Sequence, residues 1–195
     1  MDYVIAGVDL SETMLSQARK TAVKGKLEFF QGDVRSIDLD REFDAVISLF
    51  HVMSYQTADA DVIASMGTAN RHLKEGGVFI FDFWHGEGVL KDPPVVRVKR
   101  LEDEGSRIVR IAQPVMHADR HVIDVNYQII MMDKRSDRYS DLKETHQMRY
   151  FFMPELKEAL TSCGFAVREA QAWMSNGPIS DAWYGVIVAQ KERGL

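Results

Sequence analysis

Four places in the sequence carry residue types that could do chemistry: Asp9, Asp33, His51 and the pair Trp84-His85. Each comes at the end of a short apolar run. Asp9 closes Tyr3-Val4-Ile5-Ala6-Gly7-Val8, where a carboxylate can accept both hydroxyls of a ribose or simply cap the helix that follows. Asp33 could accept from an adenine amino group or close a turn with Gly32. His51 could take a proton from an attacking atom, or pack half-buried beneath neighbouring structure. Phe50, Tyr55 and Trp84 could line an acceptor pocket that favours a cationic amine, or belong to the core.

These residues need elements to position them. The run 3–8 is continuously apolar, the pattern of a buried parallel strand, and Ser11 can N-cap a helix carrying Met14, Leu15 and Ala18. Leu27-Glu28-Phe29-Phe30 reads as a second strand and Phe43 to Phe50 as a third. Val62, Ile63, Met66 and Ala69 stand at helical spacing, with Gly76-Gly77 expected to end that helix. Val78 to Phe83 is a fourth strand. Strands alternating with helices predict an α/β fold with a doubly wound, mostly parallel sheet. Ligands bind such sheets beyond the carboxyl ends of the strands. That is where the four candidate positions fall.

The bulk numbers narrow the function classes. With 195 residues, 46% hydrophobic and 27% charged, the chain is expected to form one domain, 1–195, with its own core. A net charge of −5 disfavours a generally basic nucleic-acid binder. Cys163 stands alone and cannot form an intramolecular disulfide, no apolar run approaches the ~20 residues of a membrane span, and Met1-Asp2-Tyr3 lacks the start of a signal peptide. The expectation is a cytoplasmic protein with no membrane partner. Metal chemistry is not expected: the His residues are scattered, and His117 and His121 fall in a turn between strands.

Four segments, taken in order, resemble one family. Val8-Asp9-Leu10-Ser11-Glu12-Thr13-Met14-Leu15-Ser16-Gln17-Ala18-Arg19 is similar to the second strand and following helix of class I S-adenosylmethionine-dependent methyltransferases. Phe30-Gln31-Gly32-Asp33-Val34-Arg35 resembles their adenine-contacting turn, and Phe43-Asp44-Ala45-Val46 the start of their fourth strand. Leu73-Lys74-Glu75-Gly76-Gly77-Val78-Phe79-Ile80 resembles the entry to their fifth strand, with Glu75 where Pro is commonest. More loosely, the helix begun by Met153-Pro154-Glu155-Leu156, a strand from Ala166 to Trp173, a turn at Asn176-Gly177-Pro178 and a strand from Ala182 to Ala189 are similar to the family's C-terminal part. The resemblance implies a Rossmann-like sheet whose last strand is antiparallel, and S-adenosylmethionine as cofactor. It places Asp9 on the ribose, Asp33 on the adenine amino group, Leu10, Met14 and Val34 around the adenine ring, and the backbone near Leu49 beside the methionine part.

One family element has no counterpart here. The glycine-rich loop after the first strand should precede Val4, and Gly25, Gly32, Gly76 and Gly77 are isolated turn or cap glycines. In the family that first strand lies between those beginning here near Val4 and Phe43. The sequence is therefore expected to begin inside the domain, with a rewired sheet as the alternative. The chain alone is expected to associate and to hold the cofactor weakly, although a homodimer that lends strands could support the fold.

Residues 95–152 change pattern. Val96 to Lys99, Arg107 to Ile111, Val122 to Tyr127 and Leu142 to Tyr150 alternate apolar and polar, separated by turns at 103–106 and 133–136. This predicts an antiparallel meander whose place in the chain resembles the substrate lid of small-molecule methyltransferases, those of glycine and amino sugars above all. His146 and Arg149 are its candidates for contact with a small-molecule acceptor, against a merely solvated face. The expected reaction is methyl transfer to a nitrogen or oxygen of that acceptor, with His51 as the base if one is needed. A non-catalytic binding protein and an NAD-dependent oxidoreductase are the alternatives.

Overall fold

The computed structural model describes residues 3–21, 26–175 and 177–193. Gly25 and Asn176, expected in turns, lie outside the described residues.

Two parallel strands open the chain. β1 (Ile5–Asp9) pairs with β2 (Leu27–Gln31) in register Ile5 to Leu27 through Asp9 to Gln31, and α1 (Glu12–Thr21) connects them. Ser11 caps α1 as its sequence predicts: its hydroxyl accepts the Met14 N–H at 3.3 Å and its carbonyl accepts the Leu15 N–H. Leu15 is buried and Met14 is not.

The larger sheet has eight strands. β3 (Phe43–Ser48) pairs parallel with β4 (Leu73–His85), and on the other side of β4 lie β10 (Tyr184–Lys191) and β9 (Phe165–Ala172), each antiparallel to its neighbour. The antiparallel last strand is thus present. A meander of β5 (Arg97–Glu102), β6 (Ser106–His117), β7 (Val122–Asp133) and β8 (Arg138–Phe151) joins the sheet where Trp84 and His85 of β4 meet Tyr150 and Phe151 of β8. Its strands run several residues longer than the alternation alone marks out. The turns at 103–106 and 133–136 hold, fastened by Asp103 and Asp133, which accept backbone N–H groups from the residues that follow.

The residues α2 (Asp59–Arg71) and α4 (Met153–Ser162) cover one face of this sheet. Phe79, Phe81 and Phe83 alternate along β4 and bury completely against Met66, Leu156, Leu160 and Phe165. Period two therefore sends Ile80, Asp82 and Trp84 to the opposite face. Directly opposed strand residues share a face, so Ile47 of β3 and Tyr184 and Val186 of β10 stand there as well.

Gly76 and Gly77 do not end a helix. α2 stops at Arg71 with His72 as its C-cap, and both glycines lie within β4. The register passes from Phe43–Leu73 to Ala45–Val78, so Lys74 to Gly77 loop out of the ladder. Gly76 takes φ +74°, and a Cβ on Gly77 would come within 2.8 Å of the Lys74 carbonyl oxygen.

Among the described residues β1 pairs only with β2, and β3 only with β4. The two strands do not pair with each other. The first unit contacts the rest through side chains: Arg41 pairs with Glu28 and lies over the Phe30 ring, and Arg35 reaches Asp61 of α2 at 2.9 Å.

Candidate active site

The residues after β3 turn back sharply. Phe50 and His51 both have left-handed backbone, with φ of 63° and 68°. Neither is glycine, and each such conformation costs about 1–3 kcal/mol unless neighbours enforce it. The enforcing group is Asp82, whose side chain is 1% exposed. Its Oδ1 accepts the His51 backbone N–H at 2.9 Å, and its Oδ2 lies 2.8 Å from His51 Nδ1. The ring N–H direction is off the line to Oδ2, so this is a close ion-pair distance rather than an aligned hydrogen bond, and neither atom has another hydrogen-bond partner.

Two aromatic rings complete the surround of His51. Its imidazole stacks on Tyr184 with centroids 4.7 Å apart at 18°, and meets Trp84 edgewise at 6.2 Å. Buried polar atoms without partners concentrate here. Of the six among the described residues, His51 Nδ1, Asp82 Oδ2 and Trp84 Nε1 belong to this one cluster. Such groups are expensive to bury, and their clustering marks a place selected for something other than stability.

A short 3-10 turn, Met53–Tyr55, carries the chain onward. Ser54 is buried and its hydroxyl accepts the Trp84 backbone N–H at 3.0 Å, which ties the turn to the end of β4. Tyr55 then projects to the meander, where its hydroxyl is 2.6 Å from His146 Nδ1. Burial, and then the nearby Tyr127 and Glu144, push the Tyr55 phenol up, so it stays neutral. His146 sits edge-on to Tyr127 at 5.2 Å, and its Nε2 is 3.3 Å from Glu144. The structure therefore brings His51, Trp84, Tyr55 and His146 into one connected region. Phe50 projects from the same turn, 79% exposed.

Arg149 is placed differently. Its guanidinium pairs with Asp59 at 2.7 Å and Glu155 at 3.0 Å, and lies over the Phe151 ring at 4.8 Å. It fastens the starts of α2 and α4 to β8.

The carboxylates at the other strand ends also have partners. Asp9 Oδ1 accepts the Ser11 N–H at 2.7 Å, and Oδ2 has no partner among the described residues. Leu10 and Met14 beside it are 65% and 59% exposed. Asp33 accepts from the guanidinium and the backbone N–H of Arg35, which together hold its carboxyl below the usual range. Arg35 continues to Asp61, so the turn containing half-buried Val34 is joined to α2. Leu49 is half-buried between β3 and the left-handed turn.

Asp82 and Tyr184 escape the sequence reading. Asp82 could have been found: a carboxylate inside Phe79-Ile80-Phe81-Asp82-Phe83 must be paired if the strand is buried. Tyr184 could not, because its neighbour is fixed by the register of β10 on β4. Among the described residues no group of three or more His, Cys, Asp or Glu could hold a metal ion, and no helix is long and apolar enough to cross a membrane.

The residues fit a nucleoside. At the end of β1 Asp9 keeps a carboxylate oxygen with no partner among the described residues, and the exposed apolar Leu10 and Met14 follow it in the chain, the group types that a ribose and a flat base require.

Comparison with known proteins agrees. A family profile described as a methyltransferase domain matches residues 2–77. The dTDP-3-amino-3,4,6-trideoxy-alpha-D-glucopyranose N,N-dimethyltransferase of Streptomyces venezuelae is 28% identical over 173 residues, 89% of this chain and 69% of that protein. A Bacillus subtilis (strain 168) protein named as a methyltransferase, YqeM, is 30% identical over 172 residues, 87% of this chain and 68% of its own length. The crystal structure of an S-adenosylmethionine-dependent methyltransferase from Clostridium acetobutylicum ATCC 824 superposes with TM-score 0.80 at 19% identity, covering 97% of this chain and 76% of that one. The strand order, the antiparallel β10 and these similarities lead to one conclusion: the chain belongs to the class I S-adenosylmethionine-dependent methyltransferases.

Proposed function

We propose that this protein methylates an amino group of a small molecule, with a nucleotide-linked amino sugar as the acceptor class. The observation that carries the reading is His51, held past the end of β3 by buried Asp82 and by Tyr184, with its ring meeting Trp84 edgewise. The similarity to the amino-sugar dimethyltransferase of Streptomyces venezuelae supports the acceptor class.

Asp9 Oδ2 would accept from the ribose hydroxyls, and Leu10, Met14 and Val34 would flank the adenine ring. Asp33 would accept from the adenine amino group in place of one of the Arg35 contacts, which meet each of its carboxylate oxygens twice. The backbone at Leu49 would pass beside the methionine part. When bound, S-adenosylmethionine supplies a methyl group on a sulfonium, whose departure leaves a neutral thioether. Most of the acceleration then comes from holding the acceptor nitrogen in line. His51 would take the proton that the nitrogen must lose, and Phe50, Tyr55, Trp84 and His146 would surround the acceptor. Arg149, committed to Asp59 and Glu155, would support this surface without touching the acceptor. Residues 95–152 would act as the lid over a single domain 1–195, in a cytoplasmic setting suited to the unpaired Cys163.

The test is incubation with S-adenosylmethionine and a dTDP-linked 3-amino sugar, followed by mass spectrometry. The expected product carries one or two added methyl groups, and one S-adenosylhomocysteine appears for each methyl group added. Methylation of a hydroxyl instead, mapped by fragmentation, would refute the amine reading.

A further inference from the structure

We infer that Asp82 is a positioning residue that fixes the tautomer of His51, keeping its proton on Nδ1 so that Nε2 is the ring's free acceptor. The inference rests on the base role proposed for His51 and adds the group that would make that role workable.

The argument begins with what each carboxylate oxygen does. Asp82 Oδ1 accepts the His51 backbone N–H at 2.9 Å and so holds the left-handed backbone that aims the ring. Oδ2 faces Nδ1 at 2.8 Å, and both atoms are buried without other partners. If Nδ1 carried its lone pair, two electron-rich atoms would face each other at that separation with no water to intervene. A proton on Nδ1 turns the same contact into an attraction, and the neutral ring then has its lone pair on Nε2. Tyr184 from β10 stacks on the ring face, which restricts rotation about the ring's own bond without competing for either nitrogen. Among the described residues, Asp82 from β4 and Tyr184 from β10 are the titratable groups packed on the ring.

The proposed step balances without a further reactant. The acceptor nitrogen loses one proton to Nε2 and gains the methyl as the carbon–sulfur bond breaks, with the electron pair staying on sulfur. His51 is left as imidazolium, its new charge facing the Asp82 carboxylate through Nδ1–H. A buried acceptor carboxylate behind a proton-accepting imidazole is what such a charge requires.

Imidazole ¹⁵N NMR of the whole chain tests this without an acceptor or cofactor. The unsubstituted protein should show neutral His51 as the Nδ1–H form. In Asp82→Asn the side-chain carbonyl can keep the bond to the His51 backbone while the amide N–H₂ meets Nδ1, so the proton should move to Nε2. With a dTDP-linked 3-amino sugar, that variant should lose about 10²-fold or more in kcat, with S-adenosylhomocysteine affinity unchanged. An Nε2–H ring in the unsubstituted protein would overturn the inference, and so would a tautomer that Asp82→Asn leaves as it was. Should Asp82→Asn fail to fold, the spectrum of the unsubstituted protein still decides. If His51→Ala keeps full turnover, the base role falls while the tautomer read by NMR still supports Asp82's hold on the ring.

Discussion

The Tyr55 hydroxyl and His146 Nδ1 stand 2.6 Å apart, joining the turn after β3 to the last strand of the meander. This contact spans 91 residues of sequence and links the two regions proposed to enclose the acceptor. Tyr55→Phe removes it while keeping the ring. The expected result is a rise in acceptor KM of about 2- to 12-fold, the ratio matching a net hydrogen bond of about 0.5–1.5 kcal/mol, with little change in cofactor affinity. A fall in kcat with KM unchanged would move Tyr55 from enclosing the acceptor to acting in the chemical step.

Asp9 has two tasks in this reading, and one substitution separates them. Asp9→Asn retains an oxygen that can accept the Ser11 N–H but gives up the charge offered to the ribose. Its affinity for S-adenosylhomocysteine, followed by NMR titration, should fall by about 1–3 kcal/mol, with α1 intact by circular dichroism. Equal affinity would reduce Asp9 to the turn it makes with Ser11.

The sequence was informative where chemistry is local. Ser11 capping, the period-two phenylalanines of β4, the meander turns at Asp103 and Asp133 and the Pro-led α4 all follow from neighbours a few residues away. The Gly76-Gly77 pair misled because a glycine pair that terminates a helix and one that loops out of a strand look alike without the register of β3 on β4. Arg149 read as an acceptor contact because Asp59 and Glu155 approach it from other elements. Asp82 lay in plain view within an apolar strand, but its partner is supplied by a left-handed turn at Phe50 and His51 that no residue type announces.

The tip of the meander offers a pH test. Glu102 accepts from Arg107 and pairs with Lys134 from the neighbouring turn, and these contacts, Arg107 first, hold its carboxyl down to about 2 from an ordinary 4.5. A depressed carboxyl contributes stability that is fully present above about 4.5 and is lost as the pH falls through about 2. The Glu102 carboxyl carbon should therefore titrate near 2 by NMR, and near 4.5 in Arg107→Ala combined with Lys134→Ala. A midpoint near 4.5 in the unsubstituted protein would show that the ion pairs at the tip do not persist in solution.

A short helix, α3 (Gly86–Lys91), leaves no room at one position. A Cβ on Gly88 would stand 2.2 Å from the Ala182 carbonyl oxygen, which is backbone and cannot rotate away. Gly88→Ala should push α3 off the entry to β10 and destabilise the chain by about 1–3 kcal/mol in urea. A midpoint unchanged or raised would show that α3 and the Ala182 backbone are not packed tightly enough to exclude a methyl group.

The β1–α1–β2 unit, held to the larger sheet by side chains such as Arg35 and Arg41, has a thermodynamic consequence. Its backbone hydrogen bonds can open without breaking the ladder of β4 and β10, so its amides should exchange with deuterium through a local opening rather than global unfolding. Asp9 and Asp33 close its two strands, so a ligand gripping both would draw on the same free energy that keeps the unit closed. Amides of Gly7 and Phe30, which lie in the β1–β2 ladder, should exchange faster than those of Phe81 and Ile187 in the free chain. Saturating S-adenosylhomocysteine should slow the first pair selectively, by the factor 1 + [ligand]/Kd. Affinity for the cofactor and order in β1 would then be two readings of a single equilibrium.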